Sequence, residues 1–491
     1  MTKQEAAIKY ITENYLDFNA LRHDIVSDKL QVRCAHSLGD EANRLLGNEA
    51  RGERLEAKGK EYWKELSKHD INSIVCHCAQ EYDANITSRE VLTALQSDLI
   101  PDVHPLREYI QSLKPYTPDQ PDWIDLVARQ VHMKSNNAEC GINKDNLNNL
   151  CARPTLALAK EDISPLSQQQ SVSSPLSNVG EAEELSMLSS EKPTPLSSQN
   201  NPADELWRVC FKKWFVAMVA SWMKDEVVNH QVLVLIGRQG IYKTTWLEHL
   251  IPPHLRAYAC KLANSADLNK DERLRIAEFG LISLDEIDSM NNRELNQLKS
   301  VITATDVNER AAYAYTKERR VRLASFCASG NRRDFLTDIT GNRRWLPFEV
   351  ESIQNPYYTT LPYDLMYAQA WALVQDPTFS YWFELDEIEV LEEHNQHFRD
   401  ESNEEQLLPI LFDVPAEGRG EFMTTAQISE RLVTYGNIKK PMALSRLGMV
   451  LGQQGYQPVR PRIGGIKTRG WLVYQRDTSE INALKGLLKN G

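Results

Sequence analysis

The sequence predicts an α/β protein. A phosphate-binding strand–loop–helix forms its core, a mostly helical region precedes it, and a small basic α+β domain follows. Three observations predict this. Gln231–Thr245, QVLVLIGRQGIYKTT, runs five apolar residues into a glycine-bearing loop that ends in a lysine and two threonines. A second apolar run, Gly280–Leu284, stops at Asp285 and Glu286 about forty residues after that lysine. Arg431–Arg476 holds nine Lys or Arg and no Asp or Glu, with the pattern of helix, helix and Gly-Gly hairpin.

Composition sets the bounds. At 491 residues the chain has room for roughly three domains, and an apolar fraction of 42% supports packed cores. No run approaches the ~20 apolar residues of a membrane span, so no membrane partner is expected. The start, MTKQEAAIKY, lacks the features of a signal peptide. Eight scattered cysteines fit a reducing compartment, and a cytoplasmic location is expected. Cys76-His77-Cys78 has no second pair to complete a zinc set, so its thiols are read as buried. The net charge of −12 opposes nucleic acid only when averaged. Lys160–Glu205 holds eight acidic and two basic residues and Glu384–Glu405 is acidic, whereas the positive charge gathers in the last domain.

Residues 1–135 are read as mostly helical. A short amphipathic helix covers 1–15, and Phe18–Cys34 forms a hairpin turning near Ser27-Asp28. Arg51–Glu81 is read as a helix with Tyr62, Trp63, Leu66, Ile71 and Ile74 toward a core. Ser88–Gln96 is a helix capped by Thr87, with Glu90 completing a capping box, and Val103–Leu113 is another. No paired-acid signature of a polymerase or primase occurs here. Residues 136–203 accumulate Ser, Pro, Gln and Asn, too little apolar surface to order themselves, and are read as a flexible linker or insertion. Residues 204–375 form the phosphate-binding domain. It opens with Leu206–Met223, where Trp207, Phe211, Trp214, Phe215, Met218 and Trp222 recur at helical spacing as core rather than as a base-stacking platform.

The loop Gly237-Arg238-Gln239-Gly240-Ile241-Tyr242-Lys243-Thr244-Thr245 is the candidate phosphate site. Backbone N–H groups at a helix start lack intrahelical partners and suit phosphate oxygens. Lys243 can reach the outer phosphates, and Thr244 is placed to hold Mg²⁺. The pattern G-x-x-x-x-G-K-[ST] wants glycine where Tyr242 stands. A side chain there crowds the loop or forces a different backbone angle, unless Gly240 supplies the freedom. Asp285, at a strand end, can hold Mg²⁺ through water, and Glu286 can orient and deprotonate an attacking water. After the helix Arg293–Thr303, the segment Val307–Leu323 carries Arg310, Tyr313, Tyr315, Lys317, Arg319, Arg320 and Arg322. A third apolar strand, Leu323–Ala328, ends at Ser329-Gly330-Asn331, where Asn331 can bond the attacking water or the γ-phosphate. Behind Gly341, Arg343 and Arg344 either stabilise charge on a neighbouring subunit's nucleotide or bond carboxylates structurally.

GRQGIYKTTWL, LISLDEIDSM, VNERAAY, ASFCASGN and TGNRRWLPFEV fall in order across Leu206–Val350. On these motifs the chain resembles the virulence-associated protein E group, whose ATPase core is similar to superfamily 3 helicases of the AAA+ class. HPLREYIQSL, around Tyr109, resembles the helical segment before that core. The Tyr242 departure recurs in relatives from gut anaerobes. The resemblance implies ATP and Mg²⁺ as cofactors. Gly237, Gly240, Lys243, Thr244 and Thr245 would bind nucleotide, Asp285 and Glu286 would be the acidic motif, and Asn331 the polar sensor. Arg343 or Arg344 would be the finger, with Arg332 and Arg333 as rivals. Lys317, Arg319 and Arg320 would lie on the loop that grips single-stranded DNA. Relatives sit on phages, pathogenicity islands and mobilizable elements, and many join a primase to this core. No primase part is visible here, which leaves a separate primase as a conceivable partner. A homo-oligomeric ring, a hexamer by analogy, is implied by resemblance alone.

Residues 376–420 are read as an acidic helical connector, with helices over Leu361–Val374 and Leu385–Phe398. Residues 421–491 are read as a winged-helix-like domain. It has helices at Thr425–Tyr435 and Ala443–Gln454, then strands Tyr456–Arg462 and Gly470–Tyr474 about Gly464-Gly465. Arg446 would lie on the second helix, and Arg460, Arg462, Lys467 and Arg469 would line the wing as phosphate contacts to duplex DNA. The reading is an ATP-hydrolysing DNA helicase or remodeller serving replication of a mobile element or prophage. The alternatives are a nucleotide-switched DNA-binding regulator and a defence ATPase that senses foreign nucleic acid.

Overall fold

A computed structural model of the chain describes residues 2–17, 19–34, 62–82, 85–134, 201–262, 270–309, 318–336, 342–416 and 420–481. The apolar clusters divide these into an N-terminal unit, a central unit with a core on each face of its sheet, and a C-terminal unit. The expected linker, except for its last residues, lies outside the described residues.

In the first unit, α1 (Lys3–Ile11) starts at a Thr2/Glu5 capping box. The expected hairpin forms from β1 (Leu21–Asp24) and β2 (Lys29–Cys34). β3 (Tyr62–Glu65), α2 (Lys68–Tyr82), α3 (Ser88–Leu95) and β4 (Asp102–Val103) complete a sheet of order β3-β2-β1-β4. The Thr87/Glu90 capping box of α3 is present as read. The single helix expected over 51–81 is corrected. Its described part is a strand and then a helix, because Tyr-Trp-Lys-Glu, with aromatics favouring strands, pairs with the open side of β2. There Trp63 packs under the Arg22 guanidinium at 4.1 Å. On α2, Cys78 is buried but Cys76 is exposed, since residues two apart on a helix face opposite ways.

The central unit begins earlier than the sequence boundary at 135. α4 (Pro105–Ser112), α5 (Trp123–Ala128) and β5 (Val131–Met133) pack with α6 (Pro202–Met223), and Trp207 Nε1 donates to Ala128 O at 2.9 Å. All six apolar residues singled out on α6 are buried. Then follow β6 (Val232–Ile236), α7 (Lys243–Glu248), β7 (Ala259–Leu262), α8 (Lys270–Glu278), β8 (Leu281–Leu284) and α9 (Asn292–Thr303). A hairpin of β9 (Asp306–Glu309) and β10 (Glu318–Val321) leads to β11 (Ser325–Gly330), β12 (Trp345–Ile353), α10 (Tyr363–Gln375) and α11 (Leu385–Gln396). The sheet order is β5-β12-β6-β11-β8-β7, parallel except for β5. Val232, Val234 and Ile236 face one core while Leu233 and Leu235 face the aromatics of α6. A strand covered on both faces reads as one continuous apolar run, which is how β6 was visible in sequence.

Arg322, read with the basic segment before β11, is fully buried. Its Nε donates to Ala324 O at 3.0 Å and its Nη2 to Asn229 O at 2.9 Å. Nη1 donates to the carbonyls of Val301, Ile302 and Ala304 at the end of α9. A cation there also meets the negative end of the helix dipole. Arg322→Met keeps the bulk but removes this set of buried hydrogen bonds, and a loss of about 3 kcal/mol or more is expected. A urea-unfolding midpoint equal to wild type would mean that water reaches and satisfies these carbonyls.

The C-terminal unit contains α12 (Asn403–Leu411), β13 (Phe412–Asp413), β14 (Glu421–Met423), α13 (Thr425–Gly436), α14 (Leu444–Gln453), β15 (Gln457–Val459), β16 (Arg462–Ile463), β17 (Ile466–Lys467) and β18 (Gly470–Gln475). β18 is its axis, antiparallel to β13, β14 and β15. β16 and β17 pair about Gly464 and Gly465, which take φ of 57° and 86°. The boundary expected at 421 moves back, because Leu408, Leu411 and Phe412 belong to this core. Among the described residues no helix is long and apolar enough to cross a membrane.

Candidate phosphate site and basic surfaces

The sheet order builds the site. β11 lies between β6 and β8, so three strand ends stand side by side at about 4.8 Å spacing. They present Gly237 after β6, Ser329–Asn331 at the end of β11, and Asp285–Glu286 after β8. Gly237 N donates to Gly330 O at 3.2 Å and ties the loop to the middle strand. The carboxyl ends of parallel strands, with a helix starting there, are where α/β sheets bind ligands.

Lys243 opens α7 and is nearly buried. Its Nζ donates to Gly237 O at 2.8 Å, to Arg238 O at 2.7 Å and to Asn331 Oδ1 at 3.4 Å. Burial lowers its pKa, and the nearby charges of Asp288 and Asp285 oppose that. Thr244 Oγ1 lies 3.2 Å from Asp285 Oδ1 and 2.9 Å from Ser329 Oγ, and Ser329 Oγ donates to the same Asp285 oxygen at 2.7 Å. Lys261 on β7 holds the other Asp285 oxygen at 2.9 Å. Burial raises the Asp285 carboxyl, but the hydrogen bonds from Lys261, Ser329 and Thr244 outweigh it and hold the group below its ordinary value.

The loop backbone answers the Tyr242 question. Gly240 has φ 84° and Tyr242 itself has φ 66°, so the tyrosine adopts the left-handed angle that glycine would take there. Gly240 adds freedom rather than replacing it. The cost for a side chain is about 1–2 kcal/mol. Gly237 admits no side chain, since a Cβ would meet Val350 O at 2.7 Å. Glu286 is also left-handed, at φ 52°. Its carboxylate is exposed and has no hydrogen bond or ion pair among the described residues. Such strain concentrates at functional sites.

Sequence reasoning missed Lys261, the bridging role of Ser329, and Asp288. Asp288 accepts from the backbone N–H of Asn331 at 3.1 Å and of Arg332 at 3.2 Å, and so positions the turn after β11. Ser329 stood in plain view at a strand end. Lys261 gave no signal, because its partner depends on which strands become neighbours.

The hydroxyl of Thr244 and the carboxylate of Asp285 are hard oxygen donors that fit Mg²⁺. Among the described residues no group of three or more His, Cys, Asp or Glu could hold a metal ion. A cation at this pair would therefore complete its shell with phosphate oxygens and water.

Residues 196–400 match the family model described as the virulence-associated protein E-like domain. No curated protein matches the chain. Among solved structures, the apo NrS-1 C terminal region (305-718) is 11% identical, with 96% of this chain and 100% of that chain covered and a TM-score of 0.38. Its A form is 10% identical, over 95% of this chain and 99% of that one, at a TM-score of 0.36.

The matched stretch, residues 196–400, holds every loop and acid residue above, and it also holds Arg332, Arg333, Arg343 and Arg344. Arg343 is exposed and Arg344 half-buried in the turn Asn342–Arg344, directly before β12. Trp345 pairs with Val232, so both arginines lie at the opposite end of β6 from the loop, about 17 Å of strand away. They do not join the site of their own chain. Arg332 Nη2 donates to Asp288 O at 2.7 Å, and Arg333 Nε donates to His397 O at 2.8 Å.

The basic residues separate into committed and open ones. Arg320, expected on a DNA grip, is paired with Asp28 at 2.8 Å and Glu278 at 3.6 Å, because β10 packs beside the β1–β2 turn. Arg446, expected as a DNA contact on the second helix, is 3.5 Å from Glu405 of α12, which also holds Arg399 at 3.0 Å. Arg319 is exposed and bonds Asp306 at 2.7 Å. Lys317 lies outside the described residues. Arg460, Arg462, Lys467 and Arg469 are exposed on and beside the β16–β17 hairpin, with no ion pair among the described residues.

Proposed function

We propose that this chain is an ATP-hydrolysing DNA motor, a helicase or remodeller serving replication of a mobile element. The observation that supports it best is the convergence of Lys243, Thr244, Ser329, Asp285 and Glu286 on three adjacent strand ends at the start of α7. A nucleotide switch needs the lysine and the hydroxyl. Hydrolysis also needs a base, and Glu286, just after β8 with an exposed carboxylate that is unbonded among the described residues, takes that part in this reading.

In this reading the phosphates lie against the N–H groups of the loop and α7, and Lys243 turns from the loop carbonyls toward them. Mg²⁺, held by Thr244 and Asp285, supplies neutralisation of phosphate charge. Asn331 orients the attacking water and Glu286 takes its proton. Arg343 or Arg344, remote from its own site, reaches the nucleotide of the next subunit in a ring. Arg319, on β10, and Lys317, two residues before it in sequence, contact single-stranded DNA, and the β16–β17 wing contacts duplex.

The test is steady-state ATP hydrolysis of the full chain, titrated with single-stranded and with duplex DNA. Hydrolysis stimulated by DNA is expected. Replacing Arg460, Arg462, Lys467 and Arg469 together with Gln should raise the duplex concentration for half-maximal stimulation by about tenfold or more at low salt. Tight nucleotide binding with no turnover in any condition would favour the switch.

A further inference from the structure

An aromatic turn stands beside the phosphate loop and has no part in the chemistry above. β12 runs parallel to β6, so the chain leaving Ile353 emerges at the same edge of the sheet as the loop after Ile236. There Asn355 folds the backbone into a tight turn. Its Oδ1 accepts from Tyr357 N at 3.0 Å, and its carbonyl accepts from Tyr358 N at 3.1 Å and from Thr359 Oγ1 at 3.2 Å. The turn fixes Tyr357, whose ring sits edge-on to Tyr242 at 6.3 Å and to His249 at 5.8 Å. Asn355 Nδ2 also donates to the Tyr242 hydroxyl at 3.3 Å. Tyr242 caps the start of α7 and His249 caps its end, so these rings line one side of the helix that begins with Lys243. Tyr357 nevertheless stays 59% exposed and Tyr242 38%. A tyrosine held rigid while its face stays open is suited to stacking a flat ring at little cost in side-chain order.

We propose that Tyr357, buttressed by Tyr242 and Asn355, is the surface on which the base of the bound nucleotide stacks. This rests on the nucleotide reading above. Phosphates at the start of α7 leave the sugar and base to extend over the rim of the loop, where the turn stands. The inference also gives the tyrosine at the glycine position a use. Its left-handed backbone keeps the phosphate cradle open, while its ring and hydroxyl brace the turn from beneath.

The experiment measures, by calorimetry on the full chain with Mg²⁺, the affinities for ATP and for inorganic tripolyphosphate. Tyr357→Ala should weaken ATP about tenfold and leave tripolyphosphate within about twofold, and Tyr357→Phe should keep ATP affinity near wild type. If Tyr357→Ala binds ATP as wild type does, or loses both probes equally, the base surface is wrong while the nucleotide site stands. A wild-type chain that binds neither probe overturns the nucleotide reading itself.

Discussion

Lys243→Ala is expected to weaken ATP binding by about a hundredfold or more, with the fold retained. The lysine ammonium sits inside the loop, within hydrogen-bond reach of two of its carbonyls and close to the Asn331 amide oxygen. A charged donor to a phosphate oxygen contributes about 1.5–3 kcal/mol in such a setting, and in the proposed site the Lys243 ammonium would turn from the loop carbonyls to the outer phosphates. Losing about 3 kcal/mol corresponds to roughly a hundredfold in affinity. Alanine also leaves the Gly237 and Arg238 carbonyls to water, so thermal unfolding should be measured beside nucleotide titration. An unchanged melting transition with lost binding assigns the effect to the phosphate. Wild-type affinity in this variant would remove the loop from the nucleotide site.

The parts of this site that were legible in the sequence are those set by local physics. β6 and β8 are covered on both faces, so β6 reads as an unbroken apolar run and β8 as one interrupted only by Ser283, and the residues that stop each run stand at the strand ends. The capping box at Thr87 and Glu90 is legible for the same reason, since its partners are three residues apart. What the sequence hid depends on distant neighbours. Asp28 and Arg320 are 292 residues apart, and only the docking of the first unit on β10 turns a presumed DNA contact into an ion pair. Arg322 looked like one more exposed cation in a basic segment, but the end of α9 closes over it. β5 and β7 are short edge strands with mixed faces, too brief to announce themselves by pattern. Because β7 went unrecognised, Lys261 did too, and with it the clamp on Asp285. The start of the central unit was misplaced because α4 and α5 look like any amphipathic helices until the aromatic face of α6 claims them.

Glu286→Gln is expected to bind ATP within about twofold of wild type and to hydrolyse it roughly 10²–10⁴-fold more slowly, the range of general-base effects. The substitution is close to isosteric. Because the native carboxylate is exposed and unbonded among the described residues, removing its charge breaks no internal contact. Glutamine meets the same left-handed backbone, φ 52°, as glutamate, so geometry is preserved while basicity is lost. Asp285 provides the contrast. Its oxygens accept from Lys261, Thr244 and Ser329, so Asp285→Asn should disturb the loop and weaken binding as well as turnover. A chemical step that is slow only in the Glu286 variant, measured in a single turnover at saturating ATP, separates the base from the anchor. Equal single-turnover rates for wild type and Glu286→Gln would take Glu286 out of the chemistry and pass the role of base to another group at the strand ends.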